Sequence, residues 1–271
     1  LIFLPAEKEI AMAIKCTNIQ LGLGLTAIGR KWGYKSSTVP DEATVLRFLR
    51  EAYVSGIKFF DTAPAYGSSE TRFGKFLKTL SKEQRQGIIV ATKFGEFFDD
   101  ETLSTYIDHS EAALCGSVDK SIEKLGTIDI LQLHKTSPAV LSSKDLFNAM
   151  QYARQRGIRV FGASISDVES GRIVCEGDIF SVIQFPYNMS SDYLEEIMYL
   201  AKKRNKFVIV NRPFNNGEIM YKNGEQTKSR LMAEAFRFIV NKGFNGVILT
   251  GTKSGDHLQE NIKEFQKVLK E

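Results

Sequence analysis

The sequence predicts an α/β fold, a single-domain (β/α)8 TIM barrel, on three observations. Eight short runs of β-branched, aliphatic and aromatic residues, at 20–26, 58–62, 88–93, 129–134, 159–164, 181–185, 207–212 and 247–251, alternate with amphipathic helical stretches. They follow one another at roughly 20- to 40-residue spacing with no Pro- or Ser-rich linker between them. Asp61, Lys93, His134, Ser164, Arg212 and Thr252 each fall at the carboxyl end of a run or one residue beyond. A barrel gathers such positions around one mouth. An open doubly wound sheet is the alternative, with its ligand at a single switch point.

The first run raises a competing reading. QLGLGLTAIGR contains Gly22-x-Gly24-x-x-Ala27, the minimum spelling of a dinucleotide-binding turn. That turn needs a helix starting among its glycines. Here LTAIGRKWGYKSSTVP follows, and the first helix is expected only at Pro40, with Asp41 in its first turn. Gly22 and Gly24 are therefore read as packing positions in a barrel strand.

The helix opened by Pro40 carries Val45, Phe48, Leu49 and Tyr53 at helical spacing and stops at Gly56. Later helices end on Gly126, Gly157 and Gly243. The last, from Ser254, puts Leu258, Ile262, Phe265 and Leu269 on one stripe. The barrel is expected over 18–271, with 1–17 as an N-terminal extension and Met12 as an internal start for a loosely held 1–11.

Of 271 residues, 43% are hydrophobic and 25% charged, which is ordinary for a globular core and excludes disordered and collagen-like chains. A net charge of +4 without clustered basic residues gives no nucleic-acid footprint. Cys16, Cys115 and Cys175 are widely separated and form no CxxC, so reduced thiols in a cytoplasmic protein are expected. No apolar run approaches membrane-spanning length, and residues 1–5 are too short for a leader.

The most informative stretch is GIKFFDTAPAYGSSETRFG, residues 56–74. A strand ends on Asp61, a Pro- and Gly-rich turn presents Tyr66, and a helix follows with Glu70 in its first turn, suited to the dipole. This stretch resembles the aldo-keto reductase hallmark DTAxxYGxSExxLG, with Phe73 in place of Leu. The resemblance continues through VATKFG and LQLHK, which supply Lys93 and His134, to Asn261. It implies a catalytic set of Asp61, Tyr66, Lys93 and His134, and reduction of a small-molecule aldehyde or ketone to an alcohol without a metal. A phenol with pKa ~10 is a poor acid at neutral pH unless a cation favours its anion. Lys93 is that cation and Asp61 holds it, so Tyr66 is the general acid and His134 a neutral donor orienting the carbonyl.

The same resemblance implies an extended NADP(H), with NAD(H) as the alternative. Ser164 and Gln184 match residues that hold the carboxamide, although Ile165 stands where Asn is usual. Gln184 lies mid-strand among apolar residues, where a buried amide needs a partner. Arg212, Phe214 and Gly217 in VNRPFNNGEI match the loop around the pyrophosphate, and Asn211 replaces an aromatic ring that some members stack on the nicotinamide. Gly251, Thr252, Lys253, His257, Glu260 and Asn261 in LTGTKSGDHLQEN match the adenosine end, where a helix start offers free N–H groups. His257 replaces an Arg common there.

In the first loop, GRKWGYKSS, Trp32 and Tyr34 are expected to wall the substrate pocket with Phe94, aided by Phe97 and Phe98, which favours hydrophobic carbonyl compounds. Two rival functions stand beside this reading. Tyr199 and Lys203 spell the Tyr-x-x-x-Lys of short-chain dehydrogenases. A cofactor-binding regulatory or interaction module with little turnover is the other. A monomer or small homo-oligomer without nucleic-acid or membrane partners is expected.

Overall fold

A computed structural model describes the protein over residues 19–33, 38–221 and 225–271. Tyr34 and the expected 1–17 extension lie outside these residues. The strands in chain order are β1 Gln20–Gly24, β2 Phe59–Asp61, β3 Ile89–Phe94, β4 Glu96–Asp99, β5 Ser104–Ile107, β6 Ile130–Leu133, β7 Val160–Ser164, β8 Val182–Pro186, β9 Phe207–Asn211 and β10 Gly246–Gly251. Eight of them close into one barrel, all parallel, with β4 and β5 set apart as an antiparallel hairpin. The eight expected strands are those of the barrel, each bounded within two residues of its expected position. Strands buried on both faces read as continuous apolar runs, which is why they were visible.

Closure joins β1 to β10 from Gln20↔Val247 to Gly24↔Gly251. Inside, Phe59, Ala91, Ile130, Val182, Phe207, Ile209, Val247 and Leu249 fill the barrel, with the rings of Phe59 and Phe207 stacked at 6.1 Å. Gly22 is a packing position, as expected: a Cβ there would meet Val247 Cγ1 at 2.6 Å and Leu249 Cδ2 at 2.9 Å. A second, larger apolar layer lies between strands and helices.

The first helix corrects the expectation that none begins before Pro40. A single turn, Thr26–Gly29, follows β1 directly, with no side-chain cap. Four residues carry too little periodicity to be read from sequence. The turn is held by tertiary contact instead, since Gly29 touches the loop after β2 so closely that a Cβ would fall 2.4 Å from Ser69 N. The next helix, Glu42–Val54, is capped by Asp41, which accepts from Thr44 N–H at 2.8 Å. The hairpin β4–β5 was not anticipated. Among the described residues no helix is long and apolar enough to cross a membrane, and Cys115 and Cys175 are free thiols.

Candidate active site

Asp61 ends β2 and Lys93 lies one residue before the end of β3, and both are buried. Lys93 Nζ donates to Asp61 Oδ2 at 2.6 Å and to the Thr62 carbonyl at 3.0 Å. The other oxygen, Asp61 Oδ1, accepts from Gln132 Nε2 of β6 at 3.0 Å. Each buried charge is thus paired and hydrogen-bonded, the condition under which burial is tolerated.

Tyr66 closes a one-turn 3-10 helix, Pro64–Tyr66, and Lys93 Nζ lies 5.0 Å from its ring centroid. Gly67 follows at φ +59°, where a Cβ would strike Gly29 O at 2.6 Å, so the turn requires glycine twice over. Ser68 donates to Gly29 O from both N and Oγ, each at 3.2 Å, and Ser69 Oγ donates to Leu25 O at 3.0 Å. These bonds clamp the Tyr66 turn onto the first loop. Glu70 lies in the first turn of the helix Ser69–Leu77, as expected, and it is buried there, accepting from Thr92 Oγ1 at 2.7 Å and Ser121 Oγ at 2.8 Å.

Burial is the largest influence on the Tyr66 phenol and raises its pKa above the ordinary value; Lys93 pulls it down and Asp61 pushes it back up. The phenol therefore carries its proton at neutral pH. For Lys93, burial alone would favour the neutral amine, but Asp61 and Tyr66 outweigh it and the net direction is upward. The lysine stays charged.

His134 lies one residue beyond β6, its ring edge-on to Tyr66 at 6.0 Å between centroids. Glu96 Oε2 of β4 sits 3.0 Å from its Nδ1, off the direct N–H line but close enough to favour a proton there. Burial lowers the His134 pKa against the opposing pull of Glu96. Burial would raise the Glu96 pKa, but contact with His134, aided by Thr105 and Lys135, lowers it to about 2. That direction keeps the ring neutral at neutral pH, and a neutral imidazole carries one donor and one acceptor nitrogen. His109 Nε2 donates to the His134 carbonyl at 2.9 Å and fixes the backbone beneath.

Above this floor opens a cavity of about 890 Å³. Asp61, Tyr66, His134 and Trp32 line it, as do Ser164, Gln184, Arg212, Phe214, Gly217, Gly251, Thr252, Lys253, His257, Glu260 and Asn261. Lys93 lies beneath. Phe94 does not reach the pocket wall where it was expected: neighbouring strand residues face opposite ways, and with Lys93 turned to the mouth Phe94 enters the outer core. Phe97 stacks on Tyr106 instead, and Phe98 faces Arg30. The Tyr199-x-x-x-Lys203 pair is far from this arrangement, with Tyr199 73% exposed on the outer helix Glu195–Lys203.

Several lining residues escaped the sequence reading: Arg30, Glu96, Lys135, Tyr193 and Lys228. Gln132 could have been found, because a Gln inside the apolar strand ILQL carries the same signal that singled out Gln184.

The cavity suits an extended nicotinamide cofactor. Gln184 Oε1 and Asn211 Oδ1 are buried acceptors without a partner among the described residues, on two lining strands. An amide N–H donor from a ligand would satisfy such a group. Arg212 and Gly217 bend the seventh barrel loop at φ +54° and +95°, and the helix Gly255–Val268 starts at the cavity's far end, capped by Ser254.

Fold and site together point to one family of barrel proteins. The chain belongs to the aldo/keto reductase family, whose model matches residues 20–234. Aldo-keto reductase YhdN of Bacillus subtilis is 33% identical over 198 residues, spanning 69% of this chain and 55% of that protein. The chain spans about half the length of several curated relatives it matches. A solved Pseudomonas aeruginosa protein assigned to the same family superposes with a TM-score of 0.75 at 26% identity, over 94% of this chain and 93% of that one. The holo form of a Bacillus halodurans aldo-keto reductase shares the fold at a TM-score of 0.73 and 23% identity, over 93% and 91% of the two chains.

Proposed function

We propose that the protein reduces an aldehyde or ketone to an alcohol with NADPH, Tyr66 serving as general acid. The observation that carries this reading is the buried Asp61–Lys93 pair set beneath Tyr66 at the base of a cavity lined by Gln184, whose buried amide oxygen has no partner among the described residues. A nicotinamide held at Gln184 and Asn211 would supply hydride chemistry at the carbonyl carbon.

The chain's own residues supply the rest. Tyr66 holds a proton ready for the developing alkoxide, and Lys93 stabilises the phenolate left behind. Asp61 keeps the ammonium charged and aimed, and Gln132 fixes the carboxylate. His134, a neutral ring set edge-on to Tyr66, orients the carbonyl. The closed contacts of the Asp61, Lys93 and Gln132 floor favour turnover over a cofactor-binding module without it.

NADPH is favoured over NADH because Lys228, Lys253 and His257 line the end of the cavity where the adenosine is placed by this reading. The Lys253 ammonium already donates to Thr38 O, tying that end to the first loop.

Purified protein, incubated with NADPH and a panel of aldehydes, ketones and quinones, should oxidise the cofactor with at least one of them. Tight cofactor binding with no turnover across the panel would remove the reductase reading.

A further inference from the structure

We propose that the substrate carries an anionic group, a carboxylate by chemistry, and that Arg30 receives it. This rests on the carbonyl-reductase reading above and names its substrate class. The side chain of Arg30 is unusual for a guanidinium at a cavity wall. It lies over the ring of Trp32 at 5.1 Å and that of Phe98 at 5.9 Å, so the guanidinium sits between the first loop and the hairpin. Its Nε is buried and makes no hydrogen bond, and it has no carboxylate within ion-pair distance among the described residues.

The nearby acids are already engaged. Glu96, two residues before Phe98 on the hairpin, contacts His134 at 3.0 Å and Lys135 at 3.8 Å. Asp99 is turned onto its own loop, accepting from Glu101 and Thr102 N–H. A buried donor without an acceptor costs free energy, and a ligand that supplies the acceptor recovers it.

The position is also suited to the chemistry. Gly29 is clamped by Ser68 to the Tyr66 turn, and the Cβ of Arg30 is 3.4 Å from where a Cβ on Gly67 would lie. Arg30 therefore springs from backbone in contact with the residue after Tyr66 and shares the cavity with Tyr66 and His134. A guanidinium stacked on aromatic rings keeps its N–H fork in a fixed plane, the arrangement that takes a carboxylate in two-point contact. The aromatic walls then suit the apolar spacer between carboxylate and carbonyl.

The test compares two matched aldehydes, para-carboxybenzaldehyde and its neutral carboxamide, para-formylbenzamide, with NADPH. The wild-type kcat/KM should favour the carboxylate by roughly tenfold or more, mostly through KM, and added salt should erode the preference. In Arg30→Met, which keeps an apolar stem between the rings, the ratio of the two should fall to near one. Arg30→Lys should retain part of it. Equal values for the two aldehydes in the wild type, or a ratio that survives Arg30→Met, would overturn the proposal while leaving the reductase reading intact.

A binding arm separates the two ideas. Trp32, the chain's single tryptophan, stacks against Arg30, so its fluorescence reports on a ligand there. Titration of the cofactor-loaded protein with para-(hydroxymethyl)benzoate and with the matching amide should show the carboxylate binding at least about tenfold tighter. If neither these aldehydes nor any of the panel above is turned over yet the carboxylate binds tighter, the anion subsite stands and the reductase reading falls. Equal binding, or none, overturns the subsite.

Discussion

The floor of the cavity and its rim are built on different terms. On the floor, Asp61, Lys93 and Gln132 come from three hydrogen-bonded barrel strands, β2, β3 and β6, and every charge has a partner at hydrogen-bond distance. On the rim, Trp32 and Arg30 come from a loop and Phe98 from a hairpin, held by ring stacking and left partly exposed. Rigid strands place proton-transfer groups to a fraction of an ångström, whereas loops vary what is admitted without disturbing them. Chemistry is therefore assigned to the floor and selectivity to the rim.

The sharpest challenge to that division is Tyr66→Phe. Reduction should fall about 100- to 10,000-fold while cofactor affinity is retained, as measured by turnover and by fluorescence titration. Turnover that persisted would move the acid elsewhere and dissolve the contrast.

Next in size is Lys93→Met, which strands the Asp61 carboxylate in a buried site. Urea denaturation should show a loss of about 3–5 kcal/mol, and adding Asp61→Asn should restore part of it. A cost near zero would mean that the floor is no tighter than the rim.

The Glu96–His134 contact joins the two regions and gives a pH signature. Glu96 titrates at about 2 in the fold against an ordinary 4.5, so its contribution is present above pH 4.5 and is lost as pH falls toward 2. His134 is shifted down as well, so the unfolded ring takes a proton first and acid again favours unfolding. Glu96→Gln should flatten the dependence of Tm on pH between 4.5 and 2, by roughly 1–3 kcal/mol across the window. An unchanged slope would detach the hairpin from His134.

Smallest is Tyr106→Ala on the outer face of the hairpin, where the ring stacks on Phe97 at 5.3 Å and is 53% exposed. Thermal melts should register about 0.5–1.5 kcal/mol. A larger loss would show the rim to be part of the cooperative core.

The same division explains what could be read from sequence. Val182–Pro186 and Ile130–Leu133 announced themselves because a strand covered on both faces has no choice but to be apolar. Asp61, Lys93 and His134 stood out because all three close successive apolar runs, in order, within stretches that match the family hallmark. The turn Thr26–Gly29 and the hairpin stayed hidden, since neither has its own periodicity and both are held by contacts to distant segments. Phe94 was misplaced by a single position of strand alternation. Glu96 and Arg30 went unmarked, because what sets them apart is which rings and ionisable groups the fold brings beside them.

Closure of β1 on β10 bears on how the chain reaches this state. Thr250 Oγ1 donates to Gly22 O across 228 positions of sequence, and until β10 is made β1 has only β2 for a neighbour. A growing chain thus holds Asp61, Tyr66 and Lys93 long before it holds a barrel, with one strand edge open to stray pairing throughout. Sealing that seam closes the longest loop in the fold, which makes it the step expected to limit the rate of folding and the one at which a chaperone would matter most.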